Sequence, residues 1–194
     1  MNLRALFGGL ALAGASFGPG GGAAEARGGE PPVVPAALRV PAGASLVARF
    51  HATGAQVYQC APRAGHFAWT LKRPDATLVD AAGAPVGTHT GGPTWTLTKD
   101  GSSVKAEKVA QADAPAAGAV PWLLLRATST AGHGLLSPVT YVQRLATQGG
   151  QAPASGCDAH AAGKETRAAY SADYVFYAGA AAKPAPATPH TQKP

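Results

Sequence analysis

The chain has no isoleucine, a single asparagine at Asn2 and a single methionine at Met1. It has only two cysteines, Cys60 and Cys157, and charged residues make up only 13% of it. Each scarcity closes a door. Without methionine beyond Met1, a methionine-ligated copper carrier is excluded. No apolar run reaches the roughly 20 residues that a membrane-spanning helix needs. The net charge is +6, but the basic residues are scattered, with no run of four and no basic helix. A nucleic-acid partner, which asks for a stripe or patch, is therefore not expected. Paired carboxylates of the kind that cleave glycosides across a cleft are also scarce.

The N-terminus carries a positive pattern. Arg4 supplies a short charged region, Ala5 to Phe17 an uncharged apolar stretch, and Gly18 to Gly22 a helix break. Ala24-Glu25-Ala26 then offers the small residues a signal peptidase reads. Residues 1–26 are expected to be a cleavable signal peptide, which places the mature protein in the periplasm or the medium. No cysteine near the cleavage region invites a lipid anchor, and no Arg-Arg pair precedes the apolar stretch. Export makes a disulfide the expected state of Cys60 and Cys157. Closing so long a loop would stabilise the fold by roughly 4–5 kcal/mol. Two free buried thiols, or a two-thiolate metal site, are the alternatives.

The expected organisation is a flexible lead-in at 27–33, one domain at 34–177 and an Ala/Pro-rich disordered tail at 178–194. Within the domain, apolar and polar residues alternate with period two. Leu46 to His51, Phe67 to Lys72, Thr94 to Thr98 and Tyr170 to Phe176 all show it, as half-buried strands do. Ala52 to Ala55 reads as a turn joining strands at 46–51 and 56–60. Asp80 to Pro85 separates two further strands, and Asp100-Gly101 marks a hairpin. Trp122 to Thr128 is apolar nearly throughout and is expected to be buried on both faces. Val139 to Leu145 is another strand, and Asp158 to Lys164 is the best place for a helical turn. The prediction is an all-β, single-domain sandwich or barrel of roughly nine or ten strands with very little helix.

Several segments carry a resemblance. They are Thr53 to Cys60, Val86 to His89 running into Gly92-Pro93-Thr94-Trp95, Ala119 to Leu125, and Val139 to Arg144 with Gly149-Gly150. Cys157-Asp158 and Tyr170 to Tyr177 complete the set. In this order they resemble a secreted family of bacteria and fungi known only as a domain of unknown function. The resemblance spans about 38–177 and implies export and a single domain. It implies no catalytic residues.

Candidate chemistry is sparse. Gly14-Ala15-Ser16-Phe17-Gly18 fits a nucleophile elbow but lies in the expected signal peptide with no strand before it. Asp75, Asp80 and Asp100 sit at turns, where aspartate is common punctuation. Asp173 reads as a solvent-facing strand residue. His51, His66, His89, His133 and His160 fall at strand ends or in loops, and none forms a close ligand pair. His89 ranks first, because Gly87, Gly91 and Gly92 flank it and Trp95 follows, where it can wall a pocket. His89 and Trp95 are the ligand-binding candidates, and His89 with His51 the metal candidates. The bland readings are a turn histidine and a core tryptophan. The first functional expectation is a non-catalytic envelope or secreted module that binds a small molecule, a glycan or a metal ion. The alternative is an extracytoplasmic histidine-metal enzyme, an oxidoreductase or hydrolase, built at the loop end of the β scaffold.

Overall fold

A computed structural model describes residues 33–179. The expected signal peptide, nearly all of the lead-in and all but the first two residues of the tail lie outside the described residues. Eight strands follow in order: β1 (Ser45–Arg63), β2 (His66–Val79), β3 (Pro85–Thr90), β4 (Thr94–Leu97), β5 (Ser103–Ala112), β6 (Trp122–Ala131), β7 (Val139–Gly149) and β8 (Glu165–Ala178). Each pairs antiparallel with the next, and β8 returns to β1, so the sheet closes into a barrel. Closure removes both sheet edges and gives the apolar face of every strand one shared interior.

The count is eight, because two expected breaks are absent. Ala52 to Ala55 is not a turn, since β1 runs straight through it, with Gly54 registered to Ala76 on one side and Tyr170 on the other. Glycine is there for close approach rather than for turning: a Cβ on Gly54 would lie 2.2 Å from the Asp75 carbonyl oxygen. The runs at 67–72 and 76–79 also join in one strand across Pro74. Pairing of β2 with β3 begins only at Ala76, so the missing N–H of Pro74 costs no ladder bond on that side. β6 departs from expectation as well. Leu123 and Leu125 point inward and Leu124 packs outside, but Arg126 and Thr128 are exposed. Only the first half of β6 is covered on both faces.

That outer cover is the chain before β1. A short 3₁₀ turn at Ala36–Leu38 buries Leu38 completely against Leu124, Tyr141, Leu145, Val175 and Tyr177. Gln143 anchors it, donating to the Leu38 carbonyl at 2.6 Å and accepting from the Tyr177 hydroxyl at 3.0 Å. Elsewhere the outer wall carries ion pairs: Arg49–Asp173 at 2.6 Å, Lys72–Glu165 at 2.6 Å and Arg167–Asp75 at 2.8 Å. This is the inverse of the apolar band that a membrane barrel turns outward. Among the described residues no helix is long and apolar enough to cross a membrane.

Cys60 on β1 and Cys157 in the β7–β8 connection form a disulfide, with Cα atoms 5.4 Å apart. The same connection is tied to β2 by Trp69, whose Nε1 donates to the Ser155 carbonyl at 2.9 Å. The helical turn expected at 158–164 is a single 3₁₀ turn, Ala159–Ala161, capped by the Asp158 carboxylate at 2.8 and 3.0 Å.

The lumen is filled at one end. Leu78, Leu97, Val104, Val139 and Phe176 meet there, and Leu136 descends from the β6–β7 connection as a plug with no exposed surface. The Asp100 turn holds this plug. One carboxylate oxygen accepts from the Leu135 amide at 2.8 Å, the other from the amide and hydroxyl of Ser102. The Ser102 hydroxyl oxygen in turn accepts from the Leu136 amide at 3.1 Å. These bonds keep the Asp100 carboxyl below its ordinary range.

Candidate functional site

The other end of the lumen is left open. β3 and β4 set His89 directly opposite Trp95 in register, both pointing inward. Their rings stack at 4.5 Å and 3° between planes, and Tyr174 meets both edge-on at 4.8 and 5.1 Å. His89 Nδ1 lies 3.0 Å from the Thr94 carbonyl oxygen. A carbonyl can only accept, so Nδ1 carries the proton and Nε2 keeps its lone pair. Burial pushes the His89 pKa down to about 3, which keeps the ring neutral through the physiological range.

Beside this stack lies a cavity of about 250 Å³. Its polar lining includes Gln56, His89 and Arg144, and its apolar lining includes Leu71, Leu123 and Leu125. No aspartate or glutamate lines it. Arg144 stands on β7 opposite Tyr174 of β8. Its Nε and Nη2 both donate to the Pro121 carbonyl, at 3.1 and 2.8 Å, which fixes the guanidinium plane on a neutral partner. None of the ion pairs among the described residues includes it. Two cavity residues hold buried donors that have no acceptor among the described residues, Gln56 Nε2 and Trp95 Nε1. Both side chains are almost wholly buried, at 1% and 0% exposure.

The Gly149-Gly150 pair, which reads as a plain turn, helps to position Gln56. Gly150 has φ +85°, and a Cβ there would come within 2.8 Å of Tyr170 Cβ and 3.2 Å of Gln56 Cγ. Its carbonyl accepts from the Tyr58 hydroxyl at 2.7 Å. Below, the Tyr170 and Tyr174 hydroxyls meet at 3.3 Å, and burial raises both pKa values.

The structure brings His89 and Trp95 together as the candidate ligand pair, and does not bring His51 to them. His51 sits on the outward phase of β1, its Nδ1 2.8 Å from Asp173 Oδ1, and Asp173 also pairs with Arg49. The barrel wall therefore separates His51 from His89. His66, His133 and His160 are exposed. Among the described residues no group of three histidine, cysteine or carboxylate side chains is placed to hold a metal ion. Tyr174 also belongs to the site, as do Gln56 and Arg144, which the sequence does not single out.

The arrangement presents donors and one imidazole lone pair around an apolar hollow. Its lining contains no serine, cysteine or carboxylate to act as a nucleophile or paired acid. The fold around it is a small up-and-down barrel plugged at one end. Residues 41–178 match the model of a family described as a protein of unknown function, DUF3455, and the chain belongs to that family. No curated protein and no solved structure matches the chain.

Proposed function

We propose that the protein is an exported, non-catalytic barrel that holds a small organic molecule in its lumen. The observation that carries this reading is the cavity of about 250 Å³ at the open end, where Arg144 and the neutral His89 imidazole meet an apolar wall. A glycan suits the site less well, because sugars stack on accessible aromatic faces, whereas Trp95 is fully buried and stacked on His89. A metal ion would meet a single imidazole lone pair. Export is supported by the signal-peptide pattern at 1–26 and by the Cys60–Cys157 bond.

Native mass spectrometry of protein exported by its own N-terminus tests both halves. The expected result is a chain beginning after Ala26, carrying extra mass that leaves on denaturation. Retention of the uncleaved chain inside the cell would overturn export. A bare chain whose melting temperature no member of a small-molecule library raises would overturn the binding role.

A further inference from the structure

The cavity has a charge preference as well as a size. Its lining includes two cations, Arg144 and Lys108, and no acid. Lys108 at the mouth is already engaged, donating to Gln111 Oε1 at 2.7 Å. Arg144 lies deeper, with two N–H donors on the Pro121 carbonyl and a further bond to the Tyr174 hydroxyl, so all of its partners are neutral. The field of Arg144 reaches the whole inner ring, drawing down the pKa values of Tyr58, His89, Tyr170 and Tyr174 against the larger effect of burial on each tyrosine. A partly buried guanidinium facing no carboxylate is an unmatched charge, and its fork geometry fits a carboxylate. The remaining wall, with Leu71, Pro74, Leu123 and Leu125, is apolar.

Size narrows the occupant further. An apolar cavity of about 150 Å³ takes up benzene, with its six carbons. By proportion about 250 Å³ accommodates about ten non-hydrogen atoms. We infer that the lumen binds a small amphipathic monocarboxylate, with its carboxylate on the Arg144 guanidinium and its single-ring or medium-chain body against Leu71, Leu123 and Leu125. This rests on the lumen-binding role proposed above and adds the chemistry of the ligand. The His89 Nε2 lone pair repels a carboxylate and accepts from a hydroxyl, so it sets the head group toward Arg144 and leaves room for a hydroxyl beside the imidazole.

The test is isothermal titration of the folded, oxidised protein with octanoate and benzoate, each against its neutral amide, octanamide and benzamide. At least one acid is expected to bind at least about ten-fold more tightly than its amide, as a charge-assisted hydrogen bond implies. Arg144→Gln should remove that ratio while the amide still binds. Arg144→Lys, which keeps the charge and loses the fork, should retain part of it. Thermal unfolding of each variant establishes that it is folded, and the wild-type ratio decides the matter even where a variant is not. Equal binding of acid and amide would overturn the carboxylate assignment and leave the lumen-binding role standing. Binding of none of the four would overturn both.

Discussion

The two ends of the lumen are built by the same eight strands and packed by opposite rules. At the plugged end, Leu78, Leu97, Val104, Leu136 and Phe176 fill the interior with apolar side chains, all 5% exposed or less. At the open end Arg144, Gln56 and His89 enter the same interior around a cavity. The sequence had the means to fill both ends: leucine, valine and alanine abound, and Leu123 and Leu125 already face the hollow. A closed interior ordinarily packs to the density of an organic crystal. The open end is thus a departure maintained against stability, which is where function is expected to reside. The plugged end contributes rigidity, so that the open end can keep its cavity without collapsing.

The largest expected effects fall outside the site. Replacing Cys60 and Cys157 together with alanine should lower stability by about 2–5 kcal/mol, as for native disulfides that close long loops. Urea unfolding of the double variant against oxidised wild type measures this, and a loss below about 1 kcal/mol would show that the other contacts of the β7–β8 connection suffice. Next comes the contrast between the ends. Leu136→Ala removes a fully buried plug and should cost about 2–5 kcal/mol. Leu71→Ala, at a position 50% exposed on the cavity rim, should change stability by no more than about 0.5 kcal/mol. Equal costs would mean that the two ends are packed alike.

Much of this contrast was legible in the sequence, and some of it could not be. Period-two alternation reported the inward phase of β1, of β4 and of β8 up to Asp173, where the opposite face is polar. It failed on β7, where Tyr141, Gln143 and Leu145 are as buried as Val142. Those residues lie under the chain around Leu38, a cover that alternation cannot foresee. With both phases buried, nothing local marks Arg144 as a lumen residue. Gly54 misled for a related reason: in sequence, a glycine that permits a turn and one that permits close strand approach look the same. His89 and Trp95 were found because flanking glycines and a hairpin set them opposite each other within a few residues. Gln56 and Tyr174 join them through barrel closure, from 33 and 85 positions away from His89 in the sequence. Asp100 was read as turn punctuation. Its second role, holding the Leu136 plug, depends on a connection some 35 residues away.

Acid should weaken the open end before the carboxylates respond. His89 has a folded pKa of about 3 against 6.5 when unfolded. Below pH 6.5 the unfolded chain therefore binds a proton that the folded chain refuses. Stability is fully present above pH 6.5 and falls with acid by about 1.4 kcal/mol per unit until the folded value is reached. From pH 6.5 to 5 the expected loss is about 2 kcal/mol. Asp100, Glu165 and Asp173 have depressed folded pKa values. Their contributions are fully present above their unfolded pKa values and are lost at lower pH, as it falls through the folded ones. Urea unfolding of wild type and His89→Gln at pH 7 and pH 5 separates the two windows. The variant should lose about 2 kcal/mol less than wild type over that interval, and an equal loss would show that His89 is not the buried neutral base.

The smallest effect carries the sharpest sign. Gln56→Met keeps the length and approximate shape of the side chain and removes a buried amide nitrogen that has no protein acceptor. If the open end is held polar at a cost, deleting that donor should leave stability unchanged or raise it by up to about 1 kcal/mol. At almost any other buried polar position in this barrel the same change would destabilise. Gln143, with bonds to Leu38 and Tyr177, is the internal control, and Gln143→Met should cost about 1–3 kcal/mol. Were Gln56→Met to cost as much as Gln143→Met, Gln56 would be a structural partner like its counterpart outside the wall. The open end would then lose its claim to be shaped for a ligand.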